Sequence, residues 1–296
     1  MSVLAETLAR LAERRVRGGV FGAAAPELAP GPVARPPLKR AGPEPGIERD
    51  EVGVESYLPG CVLENAYGRC YLHERLRSDI ERRETGWGRF RVKPARRAFL
   101  HAELEPLVER GLEGCVFVDL ETGGFGSSPV FLAGTMHWNG SDYVVRQYFA
   151  RDYAEEAALV DELTRFLATF DTVISYNGKS YDVPFLGDRA ALHHVAFTRP
   201  PRHLDLLHHA RRRWKGVYRD CRLVTLELYV CKRRRSGDVP SDEVPGLYHD
   251  FVKYGGAHRL VPVFHHNLLD VITMDELLRE LVQDPLPPEG RAFDED

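Results

Sequence analysis

The chain of 296 residues has five cysteines, at positions 61, 70, 115, 221 and 231, and no two of them form a C-x-x-C pair. An odd count without that spacing excludes a zinc ribbon and a disulfide framework, and it fits a reducing, cytoplasmic setting. Long apolar runs are also missing. The uncharged stretches, such as residues 115–118, fall far short of the roughly 20 residues that a bilayer demands, so no membrane partner is expected. The first residues lack the apolar centre of a secretory signal. Arg10, Arg14, Arg15 and Arg17 would suit a transit peptide, but Glu6 and Glu13 do not. The glycine-rich run Gly123-Gly-Phe-Gly126 is not closed by a G-K-[ST] sequence, which excludes a P-loop.

What is present is a globular balance of 43% apolar and 28% charged residues, enough for one or two domains and too apolar for global disorder. The net charge of −4 is unevenly spread: residues 1–110 carry 19 Lys/Arg against 16 Asp/Glu, and the rest carry 21 against 28. A basic arm beside an acidic body points to a polyanion partner and a carboxylate-rich site. Leu4, Leu8 and Leu11 recur at helical spacing, which predicts an N-terminal helix within residues 1–22. Seven prolines between Pro26 and Pro45 make residues 23–47 an extended linker. Residues 48–100 read as a small basic module containing β-structure, with ten Lys/Arg against four acids between Arg69 and Arg97. The main domain spans residues 112–284, and residues 285–296 form an acidic tail.

Within 112–284 the pattern is α/β. Strands are expected at 115–121, 129–137 and 143–149, with Asn139-Gly140 as a tight hairpin turn. Leu159, Leu163, Phe166 and Leu167 share one face of a helix over 153–170, and strands follow at 172–176 and 203–206 around a helix at 179–192. The remainder is helical. The result is a mixed five-stranded sheet flanked by helices, with a small N-terminal β-containing extension.

Three acidic elements carry chemistry. In Asp119-x-Glu121 the alternation of a strand sends both carboxylates to one face, where a divalent cation would relieve their repulsion. Asp182 follows Asn177-Gly178 at the carboxyl end of a strand, the position where open α/β sheets gather ligands; a carboxylate there also suits the helix dipole. In His265-His266-Asn267-Leu-Leu-Asp270, helical spacing sets His266 beside Asp270. Asp205 reads as a structural hydrogen-bond acceptor. His193, His194, His203, His208 and His209 show no metal-binding spacing.

In this order, the phrases Val118-Asp-Leu-Glu-Thr-Gly123, Tyr176-Asn-Gly-Lys-Ser-Tyr-Asp-Val-Pro-Phe-Leu186, His203-Leu-Asp-Leu-Leu207 and His266-Asn-Leu-Leu-Asp270 resemble the ribonuclease H-like superfamily. Within it, they resemble the DEDD group of 3′–5′ exonucleases and its YprB-type domain. Gly237-Asp-Val-Pro240 and Pro262-Val-Phe-His-His-Asn267 support the narrower likeness. The resemblance implies two Mg²⁺ or Mn²⁺ ions. Asp119 would bridge them, Glu121 and Asp270 would complete one site, and Asp182 would hold the other through water. It also implies a general base four or five residues before the last aspartate. Those slots hold His266 and His265, with His266 favoured because its phrase is the YprB-type one.

The physical requirement agrees: phosphodiester hydrolysis needs an activated water and charge relief, which two ions bound by oxygen ligands supply. For substrate, residues 211–235 hold ten Lys/Arg against two acids, with Trp214, Tyr218 and Tyr229 interleaved. Phosphate neutralisation plus stacking suits single-stranded DNA or RNA. Candidate contacts are Arg211, Arg212, Arg213, Trp214, Lys215 and Lys179. The expectation is a metal-dependent nuclease acting from a 3′ end. Its rivals are a catalytically silent nucleic-acid-binding module, and a scaffold whose N-terminal region docks a protein partner.

Overall fold

Hairpin-linked strands need only short connections, whereas parallel neighbours need crossovers, and the spacing of the apolar segments follows that rule. The computed structural model describes residues 52–81, 90, 97–124, 126 and 128–283. In chain order the strands are β1 (Cys61–Asn65), β2 (Gly68–Leu76), β3 (Cys115–Thr122), β4 (Val130–Trp138), β5 (Tyr143–Phe149), β6 (Thr172–Ser175) and β7 (Arg202–Asp205). The helices are α1 (Arg77–Ile80), α2 (Glu105–Arg110), α3 (Glu156–Leu167), α4 (Asp182–Leu192), α5 (Leu206–Trp214), α6 (Leu223–Tyr229), α7 (Val244–Tyr254) and α8 (Val261–Gln283). The expected N-terminal helix, the proline-rich linker and the acidic tail lie outside the described residues.

The strands form one seven-stranded sheet in the order β1-β2-β5-β4-β3-β6-β7. The five expected strands are all in it. The N-terminal extension supplies the other two: β2 pairs antiparallel with β5 from Tyr71↔Phe149 to Leu76↔Val144, so the hairpin from residues 48–100 continues the main sheet. The β3–β4–β5 meander is antiparallel, and β6 and β7 run parallel to β3.

Alternation along β3 divides the core. Val116, Val118 and Leu120 pack with Leu159, Val160 and Leu163 of α3 and with Leu186 and Ala190 of α4. Cys115 and Phe117 face the other way and pack with Leu268, Val271, Ile272 and Met274 of α8. Each such fully buried side chain contributes roughly 1.5–3 kcal/mol, so both layers are well anchored. Asp119 and Glu121 continue the odd-numbered series and therefore belong to the α8 face. In the 3-10 turn Tyr153–Glu155 that leads into α3, Asp152 accepts hydrogen bonds from the backbone N–H groups of Ala154 (2.8 Å) and Glu155 (3.2 Å), a cap contributing about 1 kcal/mol. No helix among the described residues is long and apolar enough to cross a membrane.

Candidate active site

The site forms where the sheet opens. β3 pairs with β6 only as far as Phe117↔Ile174 and then runs on without that neighbour. The Leu120 N–H, which lies beyond the last pair, donates to Asp182 Oδ1 at 3.1 Å. Asp182 is the first residue of α4, and the tight turn before it sets its position. Asn177 has φ +68°, a left-handed conformation that asparagine tolerates better than most residues. A Cβ on Gly178 would lie 2.3 Å from Ser175 Oγ and 3.1 Å from Asp182 Oδ2, so only glycine fits. Asp205 holds the same turn from below. It accepts from the N–H groups of Asn177 (2.8 Å), Lys179 (3.1 Å) and Leu207 (3.0 Å), which is the structural role expected of it.

The α8 side contributes Asp270, His266 and Asn267. Asn267 is fully buried, and its Nδ2 donates to Asp119 Oδ2 at 2.9 Å. Gly134 stands opposite Asp119 in the β3–β4 register, and a Cβ there would lie 2.1 Å from Asn267 Oδ1. The bare backbone at Gly134 is thus what lets α8 reach the sheet and orient Asp119. Glu121, His266 and Asp270 offer ligand atoms that all lie within 4.8 Å of one another. Among the described residues this grouping does not include His265.

Charge dominates the site. Burial raises the Asp119 carboxyl well above its usual range, and Asp270, Glu121 and Asp182 raise it further, against the Asn267 hydrogen bond. Burial pushes Glu121 to about 7; His266 opposes the rise, while Asp270, Asp182 and Asp238 add to it. Burial also pushes Asp182 to about 7 against two backbone hydrogen bonds, with Asp205 and Asp270 adding. Two like charges about 5 Å apart at an effective dielectric of about 20 repel by roughly 3 kcal/mol. Without added positive charge the set therefore keeps protons near neutral pH that ordinary carboxyls have lost.

One cation of the chain is already there. Arg235 pairs with Asp270, with Glu227 and, at 3.1 Å, with Asp238 Oδ2. The Arg235 guanidinium is outnumbered by these carboxylates together with Asp119, Glu121 and Asp182. A donor set of carboxylates with one imidazole and no thiolate fits Mg²⁺ or Mn²⁺ as the balancing charge.

His266 sits between Asp238 and Arg235 on one side and Asp270 on the other. Its Nδ1 lies 2.9 Å from Asp238 Oδ1 and 3.4 Å from Arg235 Nη1. It cannot donate to one and accept from the other. The shorter, charge-assisted bond prevails, so Nδ1 carries the proton and donates to Asp238. Nε2 then presents its lone pair 3.6 Å from Asp270 Oδ2 and 3.3 Å from Ser241 Oγ. A cleft of about 360 Å³ opens here, lined in part by Arg222, Val224, Arg235, Ser241, His266 and Asp270.

The predicted residues divide accordingly. Asp119, Glu121, Asp182, Asp270 and His266 converge. Arg211, Arg212 and Lys215 are exposed on or just after α5, and Arg213 is half-buried. Trp214 is a correction: it is buried in the α8-side core and offers no ring to a nucleobase. The exposed aromatic surface of that stretch is Tyr229, stacked on Tyr218 with ring centroids 5.3 Å apart. Lys179 turns toward Glu103, with Nζ 3.7 Å from Oε1. Sequence reasoning missed Arg235 and Asp238 as members of the site. Both lie on the irregular segment between α6 and α7, where no periodicity marks a direction; the Gly237-Asp-Val-Pro240 phrase was the available signal.

The chain is similar to known proteins over part of its length. The protein YprB of Bacillus subtilis (strain 168), itself uncharacterized, is 33% identical over 168 residues, which is 54% of this chain and 40% of that protein. This chain thus aligns with two-fifths of that relative's length. A family B DNA polymerase from the hyperthermophilic archaeon Pyrobaculum calidifontis superposes with a TM-score of 0.46 and 16% identity, over 56% of this chain and 24% of that one. Residues 116–282, from the second residue of β3 to the last turn of α8, match the RNase_H superfamily. That span contains the open end of β3 and every carboxylate gathered at it, and the chain belongs to the RNase H superfamily.

Proposed function

We propose that the chain is a metal-dependent nuclease that hydrolyses phosphodiester bonds of single-stranded DNA or RNA from the 3′ end. The observation that carries this reading is the convergence of Asp119, Glu121 and Asp182, each raised by burial, with Asp270 and with His266, which Asp238 orients. Asp119, Glu121 and Asp270 would hold one Mg²⁺ or Mn²⁺ ion, and Asp119 and Asp182 a second. When bound, the two ions supply charge relief at the phosphate and lower the pKa of an attacking water. The chain's own part is to fix its carboxylates through Asn267 and the Leu120 N–H, and to take a proton at His266 Nε2. Asp238 steadies the imidazolium that results. Exposed Arg211, Arg212 and Lys215 and the cleft residue Arg222 would draw in the phosphate backbone, and Tyr229 offers a face for a base.

The test uses single-stranded DNA and RNA labelled at the 5′ end, incubated with Mn²⁺ or with EDTA, in parallel with Asp119→Asn. The expected result is a metal-dependent ladder that shortens from the 3′ end and is absent in the variant. Undiminished cleavage by Asp119→Asn would overturn the assignment. Retained binding without any cleavage would instead make the chain a nucleic-acid-binding module.

A further inference from the structure

A second cluster of metal-ligating side chains lies outside the site described above. His101 and Glu103 precede α2, and His209 lies on α5, 106 residues beyond Glu103. We propose that His101, Glu103 and His209 bind one borderline-soft dication of the Zn²⁺ class, clamping the segment before α2 to α5.

The geometry comes first. Ligand atoms of the three residues all lie within 4.8 Å of one another. His209 Nε2 is 3.0 Å from Glu103 Oε2, and His101 Nδ1 is 3.8 Å from the same oxygen. The two rings meet edge-on with centroids 4.9 Å apart. Around a tetrahedral ion with bonds of about 2.1 Å, neighbouring ligand atoms stand about 3.4 Å apart. The two distances to Glu103 bracket that value, so small side-chain rotations would seat an ion.

Lone pairs are available. His101 Nδ1 accepts the Glu103 backbone N–H at 3.3 Å, so it is the unprotonated nitrogen and it faces the carboxylate. His209 is 3% exposed, and burial pushes it down to about 4 despite the Glu103 hydrogen bond, so its imidazole is neutral near pH 7. It need only exchange its proton between the two ring nitrogens to present Nε2. Burial opposes ionisation of Glu103, but Lys179, His209 and His101 outweigh it and hold its carboxyl below the usual range. Lys179 engages Oε1 at 3.7 Å and leaves Oε2 to the histidines. The side chains of His101 and Glu103 are 37% and 50% exposed, so a solvated ion can enter and keep water in its remaining position.

The ligand set decides the class. Two imidazoles and one carboxylate suit Zn²⁺ and its first-row neighbours, whereas Mg²⁺ and Ca²⁺ call for oxygen. The sequence hid the cluster because its parts come from distant segments.

The experiment uses the full chain carrying Asp119→Asn and Asp270→Asn, which removes the carboxylate centre as a competing binder. Co²⁺ alone is titrated into metal-free protein, and its visible d–d absorption reports tetrahedral nitrogen and oxygen ligation. We expect one equivalent to bind, and Zn²⁺ to displace it. Adding His101→Ala or Glu103→Gln, both at accessible side chains, should weaken binding by about tenfold or more, and Zn²⁺ should raise the melting temperature only where the three ligands are intact. No stoichiometric Co²⁺ binding would overturn the proposal, as would equal affinity in His101→Ala and Glu103→Gln.

Discussion

Asp119 illustrates how a single side chain can serve a site and weaken the fold. It is flanked by carboxylates that raise one another's pKa. Asp119→Asn keeps the shape and removes a charge, so in EDTA the variant should be more stable than the parent by about 1 kcal/mol, as commonly happens when a strained site is relieved. Urea denaturation measures this, and a loss of stability would contradict it. The same crowding sets a pH dependence. Glu121 and Asp182 titrate at about 7 in the folded chain, against ordinary values of 4.5 and 3.8. Between those values the folded chain holds protons that the unfolded chain has released. Metal-free protein should therefore be most stable below about pH 4 with respect to these groups and should lose stability as pH rises to about 7, by up to about 1.4 kcal/mol per pH unit for each group. Melting temperatures in EDTA from pH 5 to 8 test the sign, and Mn²⁺ should flatten the slope. These acids were legible in the sequence because strand alternation and helical spacing are local rules. Trp214 was misread although Leu206, Ala210 and Trp214 recur every four residues, the stripe of a buried helix face. The basic residues between them drew attention to charge instead.

Helix α8 depends on two contacts that helical periodicity does not reveal. The first is Asn267 against Gly134. Gly134→Ala would put a methyl group 2.1 Å from Asn267 Oδ1, and Asn267 would have to release Asp119. Overpacking of this kind costs about 1–3 kcal/mol, and metal binding at the carboxylates should weaken as well. Calorimetric titration with Mn²⁺ checks the second effect; unchanged affinity would mean that Asn267 does not orient Asp119. The second contact is Asp275, fully buried, which accepts from Arg77 Nη1 at 2.6 Å, from Tyr143 Oη at 2.9 Å and from Arg279 Nε at 3.0 Å. Asp275→Ala would strip the carboxylate from two guanidinium groups in the interior, costing about 3–5 kcal/mol. A change under about 1 kcal/mol in a denaturation curve would show that Glu81 and Glu276, near Arg77, suffice. The existence of α8 could be read from its apolar spacing. Its partners outside the helix could not, because those contacts join residues more than a hundred positions apart.

At the scale of the molecule, the sheet is wider than its superfamily match. Residues 116–282 match the superfamily, yet β5 is an interior strand only because β2 pairs with it. A chain beginning at residue 112 would expose the β5 edge and leave Asp275 without Arg77, and unpaired edges invite association. Such a truncation should aggregate or lose its cooperative melt, by size-exclusion chromatography and circular dichroism. A monodisperse fragment with the parent's melting temperature would show that the hairpin is dispensable. That residues 48–100 hold β-structure could be read from their glycines and aromatics. Their place beside β5 could not, since local pattern names a strand without naming its neighbour.

Asn267 and the Asp119 it orients are 148 residues apart. A polypeptide emerging from a ribosome delivers the β3–β4–β5 meander early and α8 late. During that interval Asp119 and Glu121 remain hydrated at an uncovered sheet face, where their repulsion is screened. The electrostatic conflict is complete only when the last long helix docks and brings Asp270, so the full crowding belongs to the finished fold and not to the partly formed sheet.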